Sequence, residues 1–141
     1  MTTEGNRYCL LDFGVIRTKG DDRAARLGDL AQRMAKIIEE FSPDQAAVET
    51  PFTGRNPRST VVLAEARGAL LSVLGSANIG VSDYTPAEVK KSIVGHGRAE
   101  KAQIVFMVSR LLGLREPPPH DAADAMAIAL THIHQRPRLG L

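Results

Sequence analysis

Tryptophan is absent from this sequence, cysteine occurs once, at Cys9, and no stretch reaches 18 consecutive apolar residues. A single thiol cannot form an internal disulfide framework and suits a reducing compartment, which points to the cytoplasm. Without a long apolar run, no segment reads as a membrane-spanning helix. The opening MTTEGNRY has neither a basic start nor an apolar stretch, so it does not read as a secretory signal. A large excess of one charge is also missing, because 18 Lys and Arg stand against 16 Asp and Glu. The distribution is less even than the total. Between residues 50 and 110 there are eight basic side chains (Arg55, Arg58, Arg67, Lys90, Lys91, Arg98, Lys101, Arg110) and four acidic ones (Glu65, Asp83, Glu88, Glu100). A basic middle suits a polyanion, although an ordinary solvated surface has the same composition.

What is present suffices for one domain, residues 1–141, with a real core, since 43% of the residues are hydrophobic. RYCLLDFGVIRT, 7–18, has the β-branched and aromatic content of a strand. In 21–41 the residues Leu27, Leu30, Met34, Ile37, Ile38 and Phe41 recur at helical spacing, and Ser42-Pro43-Asp44 closes that helix. QAAVET, 45–50, is short and apolar, as a buried parallel strand is. A Gly/Pro/Asn loop, 50–58, precedes a helix at 59–75, a strand at 78–86, a short helix at 86–94, a GHGR turn, and helices at 99–114 and 121–134. Alternation of this kind predicts an α/β domain with a mostly parallel sheet.

The last helix holds a puzzle. Asp121 and Asp124 are three residues apart, so they share a helix face. Asp121, just past Pro117-Pro118-Pro119, is equally well read as an N-cap or as part of a metal site. Capping explains Asp124 less well, because it shares a face with Ala127, Ile128 and Thr131, where a carboxylate is costly unless paired or bound to a cation. Glu49 ends the AAVE strand, and ligands of open parallel sheets gather at the carboxyl ends of strands. If the last helix brings Asp121 and Asp124 to that edge, three carboxylates converge. Such oxygen-only ligands suit Mg²⁺ or Mn²⁺ rather than zinc. Two such ions about 3.5–4 Å apart activate a water and stabilise the leaving oxygen of a phosphodiester.

The stretches AVETPFTGRNPRST, ARGALL, YTPAEVKKSIVGHGRAEKAQIVFMV and HDAADAMAIALTH, in that order, resemble the RuvC family of crossover junction endodeoxyribonucleases. The resemblance runs from about Arg17 to His134. It implies a ribonuclease-H-like mixed sheet flanked by helices, a homodimer, and paired Mg²⁺-dependent nicking of four-way DNA junctions. Cooperation with a branch-migration motor complex is implied too. Glu49, Asp121 and Asp124 match metal-binding acidic positions of the family. Phe52 matches an aromatic that stacks on an unpaired base, and Lys90 and Lys101 match basic residues facing the scissile strand. Arg55, Lys91 and Arg98 are candidate phosphate contacts on charge and position. Bland readings exist for these residues as well: Phe52 as an aromatic tucked onto the core, the lysines as solvated helix residues.

One departure from the family stands out. Its members open with a strand carrying an Asp-Pro-Gly turn and then a Gly-rich hairpin strand, and nothing before Arg7 matches either. The register puts 7–18 on the third strand, so the expected fold lacks the first two. LLDFG copies an Asp-X-Gly turn in part, and Asp12 would reach the site only if 7–18 re-paired beside the Glu49 strand; Asp12 is therefore not counted among the site residues. A junction-binding module that does not cleave, and another nuclease on the same fold, are the competing readings.

Overall fold

The computed structural model describes residues 1–5, 7–50 and 57–135. In chain order the elements are β1 (Thr2–Glu4), β2 (Arg7–Cys9), α1 (Arg23–Phe41), β3 (Gln45–Glu49), α2 (Pro57–Ser76), β4 (Gly80–Tyr84), α3 (Pro86–Val94), α4 (Lys101–Leu112) and α5 (His120–Gln135). β1 and β2 form an antiparallel hairpin, with Thr2 opposite Cys9 and Glu4 opposite Arg7. β3 pairs with β4. The contacts divide into two compact units, one made of Met1–Val15, Ala47–Glu49 and the chain from Tyr84 onward, the other of Ile16–Ala46 and Thr50–Asp83.

Local chemistry sets most element ends in the second unit. Asp22 sits in extended backbone and accepts the Ala25 N–H at 2.7 Å, which caps α1. At the other end Ser42 adopts φ 44° and donates its N–H to Ile38 O, so the SPD sequence does stop the helix. α1 packs on α2. Arg23 pairs with Glu65 at 3.4 Å, and Arg67 bonds Asp83. Asp29 accepts the Lys19 backbone N–H at 2.8 Å and the Arg33 Nε–H at 3.0 Å, which hold its carboxyl below the usual range.

The first unit holds the core around three helices. α3 opens with a capping box: Thr85 Oγ1 accepts the Glu88 N–H, and the Glu88 carboxylate accepts the Thr85 N–H at 2.7 Å. At α4 the Gln103 side chain accepts the Glu100 N–H at 2.9 Å. Residues four apart then turn inward together: Val89 and Ile93 from α3, Ile104 and Val108 from α4, Met126 and Leu130 from α5, joined by Ala122 and Ala127. Alanines at 122, 123 and 127 are almost wholly buried, which lets the backbone of α5 approach its neighbours closely.

Two expectations need correction. The strand expected at 7–18 is confined to Arg7–Cys9, and residues 10–20 have no regular structure. Leu11, Phe13 and Val15 alternate as a strand should, but all three are exposed, so their apolar side chains find no face to bury against. A strand also stands before Arg7, where none was expected: β1, joined to β2 through Gly5 at φ 59°. β2 pairs with β1 and not with β3, while Asp12 accepts the N–H of its own neighbour Phe13 at 2.8 Å, so the re-pairing that would carry Asp12 to Glu49 does not occur. No described helix is long and apolar enough to cross a membrane.

Candidate active site

Glu49 is the last residue of β3, and the strand delivers its carboxylate at the carboxyl end. α5 begins at His120, so Asp121 lies within the first turn and is not the residue that caps it; the Ala123 N–H bonds to Pro119 O at 2.9 Å. The acidic side chain there still meets the positive end of the helix dipole. Asp124 is exposed, and the buried face of α5 runs instead through Ala123, Met126, Ala127, Leu130 and Thr131. Asp124 therefore borders the apolar face without entering it, and the desolvation argument made from sequence does not apply to it.

Electrostatics join three of the expected residues. The Glu49 carboxyl is raised above its ordinary value, first by desolvation, then by the negative charge of Asp124, with the Lys101 ammonium pulling the other way. Glu49 as a whole residue stays exposed, so the desolvation reflects a carboxyl partly enclosed by neighbouring chain rather than a buried acid. A Glu49 carboxyl disfavoured by the neighbouring charge of Asp124 belongs to a donor set suited to a hard divalent cation, which would favour the ionised form of Glu49. Among the described residues no group of three His, Cys, Asp or Glu is arranged to hold a metal ion, so Asp121 does not complete a ready-made trio with the other two.

The basic residues fall on neighbouring elements. Lys90 is half-buried and Lys91 exposed on α3, Arg98 lies exposed in the turn that follows, and Lys101 is the exposed first residue of α4. Phe52 and Arg55 lie outside the described residues. Sequence reading passed over a set of tyrosine and histidine contacts at the far end of α5, among them Tyr84 with His132 and Tyr8 with His134. Their signal was present: histidines two residues apart do not follow a helix-surface repeat.

The chain is similar to known proteins over nearly all of its length. It matches the profile of the crossover junction endodeoxyribonuclease RuvC family over residues 1–132. The curated RuvC of Burkholderia ambifaria is 44% identical over 136 residues, which make up 96% of this chain and 74% of that protein. The RuvC of Burkholderia vietnamiensis is 43% identical, with 96% and 76% covered. Among solved structures, Thermus thermophilus RuvC in complex with Holliday junction substrate superposes with a TM-score of 0.86 at 35% identity, covering 94% of this chain and 82% of that one. A further Thermus thermophilus RuvC structure gives 0.83 at 34% identity.

These likenesses put the fold in the ribonuclease-H-like class and the protein among hydrolytic, divalent-metal-dependent nucleases. The chain belongs to the crossover junction endodeoxyribonuclease RuvC family.

Proposed function

We propose that this protein resolves four-way DNA junctions by paired, Mg²⁺-dependent nicks during recombination and repair, acting in the cytoplasm as a homodimer. The observation that carries the reading is the family match over residues 1–132, and Glu49 at the end of β3, whose carboxyl is raised by the charge of Asp124 and lowered by that of Lys101, supports it. Glu49 and Asp124, with Asp121 from the same helix turn, would hold the metal, Mg²⁺ or in its place Mn²⁺, as two ions. A metal held there would supply an activated water and stabilise the leaving oxygen of a phosphodiester. Lys101 holds the scissile phosphate near Glu49 and offsets the charge that the carboxylates present to an incoming polyanion. Lys90 supports the same strand from α3, and Arg55, Lys91 and Arg98 neutralise flanking phosphates. Phe52 stacks on a base left unpaired at the junction, a contact worth about 1–3 kcal/mol.

The homodimer has candidate contact residues on α2 in Val61, Val62 and Leu63, which are 50%, 57% and 60% exposed and, being consecutive, fan over about 200° of the helix. A branch-migration motor is the expected partner on the DNA.

A synthetic four-way junction tests the reading. Incubated with Mg²⁺, the protein is expected to give symmetric nicks in two strands of like polarity, and Glu49→Gln is expected to bind the junction without cutting it. Binding without nicks by the unaltered chain in both Mg²⁺ and Mn²⁺ would leave a junction-binding module instead. Equal cutting of a plain duplex or of RNA would point to another nuclease on the fold.

A further inference from the structure

α3 is short, nine residues, yet it carries Lys90 and Lys91. A helix of this length has little stability of its own and takes its position from what it is tied to. Its apolar face packs on α4 and α5, and the polar ties at its two ends converge on one place, the last turn of α5. The Tyr84 hydroxyl, just before the α3 cap, is 2.8 Å from His132 Nδ1, and the two rings meet edge-on with centroids 5.8 Å apart. Ser92 Oγ, in the last turn of α3, is 3.0 Å from His134 Nδ1. The other nitrogen of His134, Nε2, is 2.9 Å from the Tyr8 hydroxyl of β2. A neutral imidazole offers one donor and one acceptor, and hydroxyls serve as either, so both nitrogens of His134 are satisfied in one tautomer.

The spacing matters. Residues two apart on a helix project about 200° from each other, so His132 and His134 leave α5 in opposed directions. They reach opposite ends of α3, one just ahead of its first residue and one in its last turn. α5 is also the helix whose first turn carries Asp121, with Asp124 following.

The geometry points to His132 and His134 as positioning residues: a two-point clamp that fixes α3, and with it Lys90, relative to the carboxylates of α5 for strand cleavage. In this role each histidine acts through α3 rather than on the DNA or the metal. His134 extends the same hold to β2. The inference rests on the reading of Lys90 and the carboxylates given above, and it adds that the far end of α5 tunes the reaction at the near end.

Single-atom deletions test it. Tyr84→Phe and Ser92→Ala each remove one hydroxyl and leave the ring or the helix in place, and Ser92→Thr restores the lost hydroxyl. In the double variant Tyr84→Phe/Ser92→Ala, backbone amides of α3 should exchange with solvent faster while those of α4 keep their protection. The single-turnover nicking rate should fall roughly ten- to a hundredfold, the scale at which misplacement of a reacting group is felt. Junction affinity should change far less, and Ser92→Thr should recover the rate lost in Ser92→Ala. In a Lys90→Ala background the double variant should cost little more, because the clamp acts through Lys90. Unchanged exchange in α3 overturns the clamp, whatever the activity. Faster exchange with full nicking, or a loss of nicking that is undiminished in the Lys90→Ala background, overturns the positioning role. If the unaltered protein neither binds nor nicks junctions, the proposed function falls, and the exchange experiment alone then decides whether the clamp holds α3.

Discussion

At the scale of single residues, charge sets the terms, and two carboxylates behave in opposite ways. The folded chain raises Glu49 through desolvation and through Asp124, so the native state holds the Glu49 proton more tightly than the unfolded chain does. Ionised Glu49 is then a liability to the metal-free fold above its raised value, and the liability fades as pH falls through it. Glu49→Gln is therefore expected to melt no lower than the unaltered protein at neutral pH without metal, while it loses nicking. A large drop in melting temperature would mean that Glu49 serves the fold. Asp29 is the reverse case, held low by the Lys19 N–H and Arg33. Its contribution is fully present above the ordinary carboxylate range and is lost as pH falls through its lowered value. Asp29→Asn should accordingly destabilise at neutral pH, and the difference should vanish in acid, as thermal melts across pH would record. A penalty of constant size at every pH would assign the effect to hydrogen bonding alone.

At the scale of elements, the ends written into neighbouring residues were legible and those set by distant partners were not. α3 was read at 86–94 and is found there, because Thr85, Pro86 and Glu88 spell out a capping box within four residues. Thr85→Ala should cost about 1 kcal/mol, within the range for lost caps, and should show first as fraying of α3 in hydrogen exchange. Protection equal to that of the unaltered chain would mean that the tie to α5 alone secures the helix. The segment after Cys9 shows the limit of local reading. LLDFGVI has the alternation of a strand, but a strand also needs a partner edge and a face to bury, and neither is encoded in the segment itself. The candidate site divides along the same line. Glu49 and Asp124 could be brought together in argument because one ends a strand and the other lies on the face of a regular helix. Asp124 shares its face with Ala127 and Thr131, which are buried, yet it is itself exposed, because packing on α3 and α4 covers the later turns of α5 and how far that cover reaches is not set by the sequence of α5 alone.

At the scale of the molecule, paired nicking requires two sites, and the chain holds one Glu49. On the proposed reading a homodimer would supply the second, and α2 offers exposed apolar side chains for its contact. Only Leu74 of this helix is buried, while Val61, Val62 and Leu63 stand in solvent, an arrangement that is costly for a monomer and natural at a subunit contact. Val62→Glu places a charge among these exposed apolar side chains. In a monomer the change is benign, since the position is exposed and Glu is a better helix former than Val. In a dimer it sets two carboxylates against each other across a symmetric contact or buries them unpaired, and either outcome opposes association. Sedimentation should therefore move from the mass of two chains toward that of one, with the melting temperature falling as subunit linkage is lost. The two nicks should then uncouple, so that singly cut junctions accumulate where the unaltered protein gives paired cuts. An unchanged mass with Val62→Glu would remove this part of α2 from the contact. A monomeric mass for the unaltered protein that persists on a bound junction would end the homodimer reading and require the two cuts to come from successive encounters.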